Sequence, residues 1–212
     1  MKSKILQLEK EAQALEPQLD IRQKWDDKVH EYSNHFLDNI EDIKAYVADE
    51  EKGRKIYDFP ILDEGRKIED LIDIIKENID TPGLNPASGG HLGYIPGGGV
   101  YPTALGDYLA DVFNRYAGVF FGSPGAVRME NMLIRWMNKL VGFPETAMGN
   151  LTSGGSIANL IAIVTARDAK NIKARDIENS CIYLTEHVHH SLQKAVRISG
   201  LAEANLRYIP MD

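Results

Sequence analysis

Residues 149–168 read GNLTSGGSIANLIAIVTARD, and residues 181–191 read CIYLTEHVHHS. The first stretch predicts a short strand near Met148–Thr152, a turn at Ser153-Gly154-Gly155-Ser156, and a helix over about 155–170. The apolar face of that helix is Ile157, Leu160, Ile161 and Val164. The second opens on a β-rich apolar run at 181–185. A helical segment at 190–200 and another β-rich run, LRYIP at 206–210, follow it. Strands alternating with helices imply parallel βαβ units whose sheet is covered on both faces.

Upstream, Ser123-Pro124 is a good helix start, because proline suits the first helical turn. It opens a helix over 125–141 with Met129, Met132, Leu133, Trp136 and Leu140 on one face, closed by Gly142-Phe143-Pro144. Another helix is expected at 103–118. Residues 81–106 hold eight glycines and four prolines, and HLGYIPGGGVYP within them suits neither regular helix nor a central strand. Long loops in compact proteins are functional or disordered. Tyr94, Ile95 and Tyr101 favour a pocket lining. Three amphipathic stripes precede the loop: Ile5 to Leu15, Ile21 to Val47, and a helix over 62–79 faced by Ile68, Leu71, Ile72, Ile75 and Ile79. The first two pack on their own domain or form a dimerisation element.

The chain of 212 residues carries 43% hydrophobic and 26% charged residues, a globular balance. No apolar run reaches the roughly 18 residues of a membrane span, and MKSKILQLEKEAQALE is too charged for a signal peptide. One cysteine, Cys181, excludes an internal disulfide and a multi-cysteine zinc site, and suits a reducing compartment, the cytoplasm. The net charge is −7. Residues 1–80 carry 13 of the 24 basic and 21 of the 31 acidic side chains. An acidic chain without a basic stripe argues against nucleic acid and anionic membranes as partners.

Two constellations carry chemistry. Thr152-Ser153-Gly154-Gly155-Ser156 sits at a strand-to-helix junction, where backbone N–H groups and the helix dipole favour an anion such as phosphate. A tight turn with a serine cap explains the same residues. Thr185-Glu186-His187-Val188-His189-His190-Ser191 follows a strand. No cysteine, aspartate or further histidine stands at partner spacing, so no metal is expected there. An imidazole at the carboxyl end of a parallel strand can instead face a flat ligand, and surface histidines at a strand end are the competing reading. Together the two suit a ligand that has a phosphate and an aromatic ring. Pyridoxal 5′-phosphate (PLP) has both.

These residues resemble the group II PLP-dependent decarboxylases, which include the glutamate and aromatic-L-amino-acid decarboxylases. GNLTSGGSIANLIAIVTARD resembles the family's phosphate-loop helix, TEHVHHSLQKA its segment with the ring-stacking histidine, HLGYIPGGGVYPTALGDYLADVFN its substrate-side loop, and GSPGAVRMENMLIRWMNKLVGFP the helix before the phosphate loop. The similarity runs in order over about 60–212. It implies a fold-type I PLP-dependent transferase-like large domain, α/β, of which 81–212 is the first βαβαβ part. Residues 1–80 are then a helical dimerisation segment, and the protein an intertwined homodimer.

By the same resemblance Gly154, Gly155 and Ser156 bind the cofactor phosphate. His189 stacks on the ring as the catalytic histidine, and Tyr94, Ile95 and Pro96 line the substrate pocket. Ile95 stands where aromatic-amino-acid enzymes often carry a second ring. The implied activity is loss of the α-carboxylate of an L-amino acid as carbon dioxide. The Schiff-base lysine and the aspartate at the ring nitrogen have no counterpart here, so the chain is expected to be an N-terminal portion, inactive alone. Another fold-type I PLP lyase and a non-catalytic dimerising chain are the alternatives.

Overall fold

In the second half of the chain Cys181–Thr185 pairs parallel with Asn205–Ile209. A computed structural model describes residues 1–51, 53–95 and 97–211, and the chain divides into two compact units, Met1–Val112 and Phe113–Asp212. The composition shift at 80/81 thus falls inside the first unit.

The first unit is helical. Helix α1 is Lys2–Ala12 and α2 is Leu19–Asp38. The second stripe was expected to stay helical to Val47, but α2 ends at Asn39. After a 3-10 turn, β1 (Tyr46–Val47) pairs antiparallel with β2 (Gly83–Leu84). β-branched Val47 and aromatic Tyr46 suit that pleated pairing better than a helix. Helix α3 spans Arg54–Tyr57. The helix expected over 62–79 begins only at Ile68, as α4 (Ile68–Ile75), and finishes in a π-helical turn over Lys76–Asp80. That wider turn carries Asp80 to Tyr32, whose hydroxyl donates to Oδ2 at 2.6 Å. Helix α5 is Tyr101–Phe113 rather than 103–118. Asn114, at φ 41°, takes a left-handed conformation that a helix cannot continue.

In the second unit α6 spans Pro124–Leu140, with Ser123 before its proline start. Helix α7 is Gly155–Ala169, β3 Cys181–Thr185, α8 His190–Ile198 and β4 Asn205–Ile209. β3, α8 and β4 form one βαβ unit with Cys181 opposite Asn205 and Thr185 opposite Ile209. Of the three strands expected, Met148–Thr152 is not one among the described residues. An extended run becomes a strand only where a neighbour takes its backbone hydrogen bonds.

The core is Val196, Leu201 and Ala204, with Ile163, Ile172, Ile177, Ile182 and Leu206 packed around it. Helix α7 therefore turns Ile163 inward, while Ile157 and Ile161 of the expected face stay exposed. The sequence 157–164 is apolar on several sides, so periodicity alone does not single out one face. Gly200, at φ 77°, ends α8: its N–H returns to the Arg197 carbonyl at 3.1 Å and the Leu201 N–H to Val196 at 3.0 Å. This left-handed glycine turn folds Leu201 back onto Val196.

Candidate functional site

The phosphate-type turn lies at the start of α7. Gly154 flanks the helix in extended backbone, φ 162° and ψ 169°, and no side chain caps it. The Gly154 carbonyl accepts from the Ile157 and Ala158 N–H groups at 3.1 and 3.2 Å. The N–H groups of Gly155 and Ser156 precede that first bond and have no helical partner, at the positive end of the dipole. A Cβ at Gly154 or Gly155 would meet no protein atom within 4 Å. Neither the fold's packing nor, at Gly154, the backbone angle requires glycine. Their absent side chains leave open space at the start of α7. Thr152 steadies the turn by donating from Oγ1 to the Gly154 carbonyl at 3.1 Å. The turn thus fits a phosphate group.

His189 stands just beyond the carboxyl end of β3, as the residue that caps α8. Its Nδ1 accepts the Ser191 backbone N–H at 3.2 Å and lies 2.8 Å from Ser191 Oγ. Histidine is an unusual cap, since serine, threonine, aspartate and asparagine dominate that position. Here the imidazole nitrogen plays the part of their oxygen. The His189 and His190 rings lie 4.1 Å apart between centroids, inclined by 36°. Ser191 is buried and receives a further hydrogen bond from Asn159 Nδ2 of α7 at 2.8 Å. At the other end of the two helices Arg167 Nη1 donates to the Ser199 carbonyl at 2.7 Å. The glycine turn and the histidine are therefore carried on two helices tied at both ends.

Tyr94 and Ile95 lie in the first unit, both exposed, at 81% and 99%. Tyr94 takes φ 63°, an uncommon conformation for a bulky residue, and stacks with His91 at 6.0 Å and 18°. The loop's preceding turn is held by Ser88, whose hydroxyl donates to the Ile43 carbonyl. Pro96 lies outside the described residues. Among the described residues no group of three His, Cys, Asp or Glu side chains is placed to hold a metal ion, His187 and His189 included. No helix among them is long and apolar enough to cross a membrane.

Sequence reading passed over Asn159 and, though it counted Ser191 in the second constellation, gave that serine no role. Two signals were available: a lone amide in the apolar run SIANLIAI, one turn beyond Gly155, and a serine two places after a histidine that opens a helix.

Comparison with known proteins bears on the family and the fold. The model of the pyridoxal-dependent decarboxylase conserved domain matches residues 54–212. An aromatic-L-amino-acid decarboxylase of Bacillus atrophaeus is 35% identical over 121 residues, covering 57% of this chain and 25% of that protein. Tyrosine decarboxylase 2 of Narcissus pseudonarcissus is 26% identical over 159 residues, covering 71% and 32%. The chain thus spans about a quarter to a third of the length of these relatives. In structure it is similar to Rhodiola rosea 4-hydroxyphenylacetaldehyde synthase, with a TM-score of 0.80 at 18% identity, over 92% of this chain and 44% of that one. The α/β fold expected from the sequence is the fold of that protein, so far as the chain extends.

Proposed function

Since the chain belongs to the pyridoxal-dependent decarboxylase family, we propose that it serves the PLP-dependent decarboxylation of an L-amino acid. The α-carboxylate leaves as carbon dioxide. The observation that carries this reading is the uncapped, open glycine turn of α7 joined through Asn159 and Ser191 to His189. One helix offers an anion site and the next offers a flat ring, at a spacing fixed by hydrogen bonds between them.

The chemistry that PLP supplies when bound is an electron sink for the pair left behind by the departing carboxylate. The chain's own residues supply position. The N–H groups of Gly155 and Ser156, with the Ser156 hydroxyl, would hold the phosphate at the start of α7, and Gly154 would leave room for it. His189 would hold the ring fixed and so restrict which substrate bond can break. By the family resemblance, Tyr94 and Ile95 are the residues assigned to the substrate.

The exposed apolar stripes of α1 and α2, Leu8, Trp25 and Val29 among them, support a homodimer in which residues 1–80 contact the partner. One exposed, free cysteine supports a cytoplasmic location.

The test is to incubate the purified protein with PLP and single L-amino acids (tyrosine, tryptophan, phenylalanine, glutamate) and to measure carbon dioxide and the amine. Carbon dioxide with an equimolar amine supports the reading. A chain inactive alone releases none, so PLP binding is followed by absorbance beside it: binding left unchanged by Gly154→Ala and by His189→Ala would overturn the reading, and another product in place of carbon dioxide points to another PLP lyase.

A further inference from the structure

We propose that Ser191 and Asn159 are positioning residues that hold His189 in its Nε2–H tautomer, with Nδ1 locked into the start of α8. The inference rests on the reading above only for what the ring faces; the tautomer stands on hydrogen bonds alone.

The Ser191 backbone N–H can only donate, and it points at His189 Nδ1 across 3.2 Å. That nitrogen therefore carries no proton, and the ring's proton sits on Nε2. The Ser191 hydroxyl, 2.8 Å from the same bare nitrogen, must then donate to it. Donation uses the only proton on Oγ, and its lone pairs are left to accept. Asn159 Nδ2 fills that role at 2.8 Å, so the chain of donors runs one way, from Asn159 to Ser191 to His189. Every bond has one admissible direction once the backbone N–H is placed.

Two consequences follow for a ring that must lie flat against a ligand. Nδ1 is held by two donors from one residue of α8, which fixes the ring's tilt as well as its proton. Ser191 is buried, 3% exposed, and the low local dielectric around it strengthens the bonds it donates. Asn159 also lies one helical turn beyond Gly155, so the helix that opens on the phosphate turn itself supplies the donor that orients the ring histidine. The two contacts to the cofactor are thereby set relative to one another before anything binds.

The test is nitrogen-15 NMR of the histidine rings in the full 212-residue chain without cofactor, with the His189 signal identified by its loss in His189→Gln. Expected for the parent chain is an Nε2–H pattern at His189. Ser191→Ala removes one donor to Nδ1 and raises the minor Nδ1–H population about five-fold, the equilibrium equivalent of one ordinary hydrogen bond. Ser191→Thr, which keeps the hydroxyl, restores the parent ratio. Asn159→Asp presents an acceptor to Ser191, draws the hydroxyl proton away from His189, and shifts the ratio in the same direction as Ser191→Ala. An Nδ1–H pattern in the parent chain, or a ratio unmoved in both Ser191→Ala and Asn159→Asp, overturns the inference. A purely structural Ser191 would lower the melting temperature without moving the ratio, which is that same overturning result. Because no cofactor is present, the outcome does not depend on whether the chain binds PLP or decarboxylates anything.

Discussion

The side-chain amide of Asn159 donates to the Ser191 hydroxyl across 2.8 Å, joining two residues 32 positions apart in the chain. Through Ser191 the contact reaches His189. The helix that begins with the open glycine turn and the helix capped by the histidine thus share one polar contact near their starts. Arg167 and Ser199 provide another near their ends.

Gly154→Ala separates binding from folding. The added Cβ meets no protein atom within 4 Å, and the extended backbone at Gly154 accepts any residue. Thermal unfolding is expected to change by no more than about 1 kcal/mol, the difference between glycine and alanine at a helix N-cap. PLP affinity, measured by fluorescence titration, is expected to fall by about tenfold, because the methyl group occupies the space the phosphate needs. A large drop in stability with unchanged PLP affinity would assign the glycine to the fold instead.

Arg167→Ala is expected to destabilise the second unit by about 1.5 kcal/mol, the contribution of a hydrogen bond from a charged donor to a partly buried carbonyl. The neighbouring contact to Asp168 at 2.9 Å is largely exposed and adds little. Asp168→Ala should therefore be nearly silent in urea denaturation while Arg167→Ala is not. Equal effects would contradict this ranking.

Leu201→Ala tests the core. Leu201 is 4% exposed and is folded onto Val196 by the Gly200 turn. Loss of its side chain from a packed site costs about 3 kcal/mol. Chemical denaturation should show a lower midpoint with an unchanged slope. A change below about 1 kcal/mol would mean that the cluster is not the core of its unit.

Tyr32 gives the first unit a dependence on alkaline pH. Burial of the phenol, followed by its hydrogen bond to and the negative charge of Asp80, raises its pKa above the ordinary value of 10.0. The folded state therefore holds this proton more tightly than the unfolded state. The resulting stability is present in full below pH 10, where both states are protonated. It declines as pH rises past that value towards the raised pKa of the folded state. Tyr32→Phe should lose about 1 kcal/mol at neutral pH and flatten the decline above pH 10, followed by circular dichroism. A decline that persists unchanged in Tyr32→Phe would place its origin elsewhere.

Trp25 and Val29 lie one turn apart on the same stripe of α2 and are 43% and 45% exposed. If that stripe contacts a partner copy, Trp25→Asp with Val29→Asp should convert a dimer to a monomer in sedimentation, with the helical circular dichroism signal kept. A dimer that survives both substitutions would remove this face from the interface.

The sequence alone determined most of the elements and the candidate site residues. CIYLT and the run ending at Ile209 are strands because β-branched and aromatic residues suit a pleated pair. Pro124 opens α6 because its fixed φ suits a first turn. The glycines at 154 and 155 and the histidine at 189 stood out only together, because an anion-type turn and an imidazole at a strand end suit one ligand and resemble one family's motifs. Tertiary structure decided what periodicity could not. It turned Ile163 inward rather than Ile157 or Ile161, since a helix apolar on several sides chooses its face only when a neighbour covers one. It left Met148–Thr152 unpaired among the described residues, since pairing depends on a strand from elsewhere in the chain. It also linked Asn159, Ser191 and His189, because a hydrogen bond across 32 positions depends on how two helices pack, and residue type and spacing do not encode that contact.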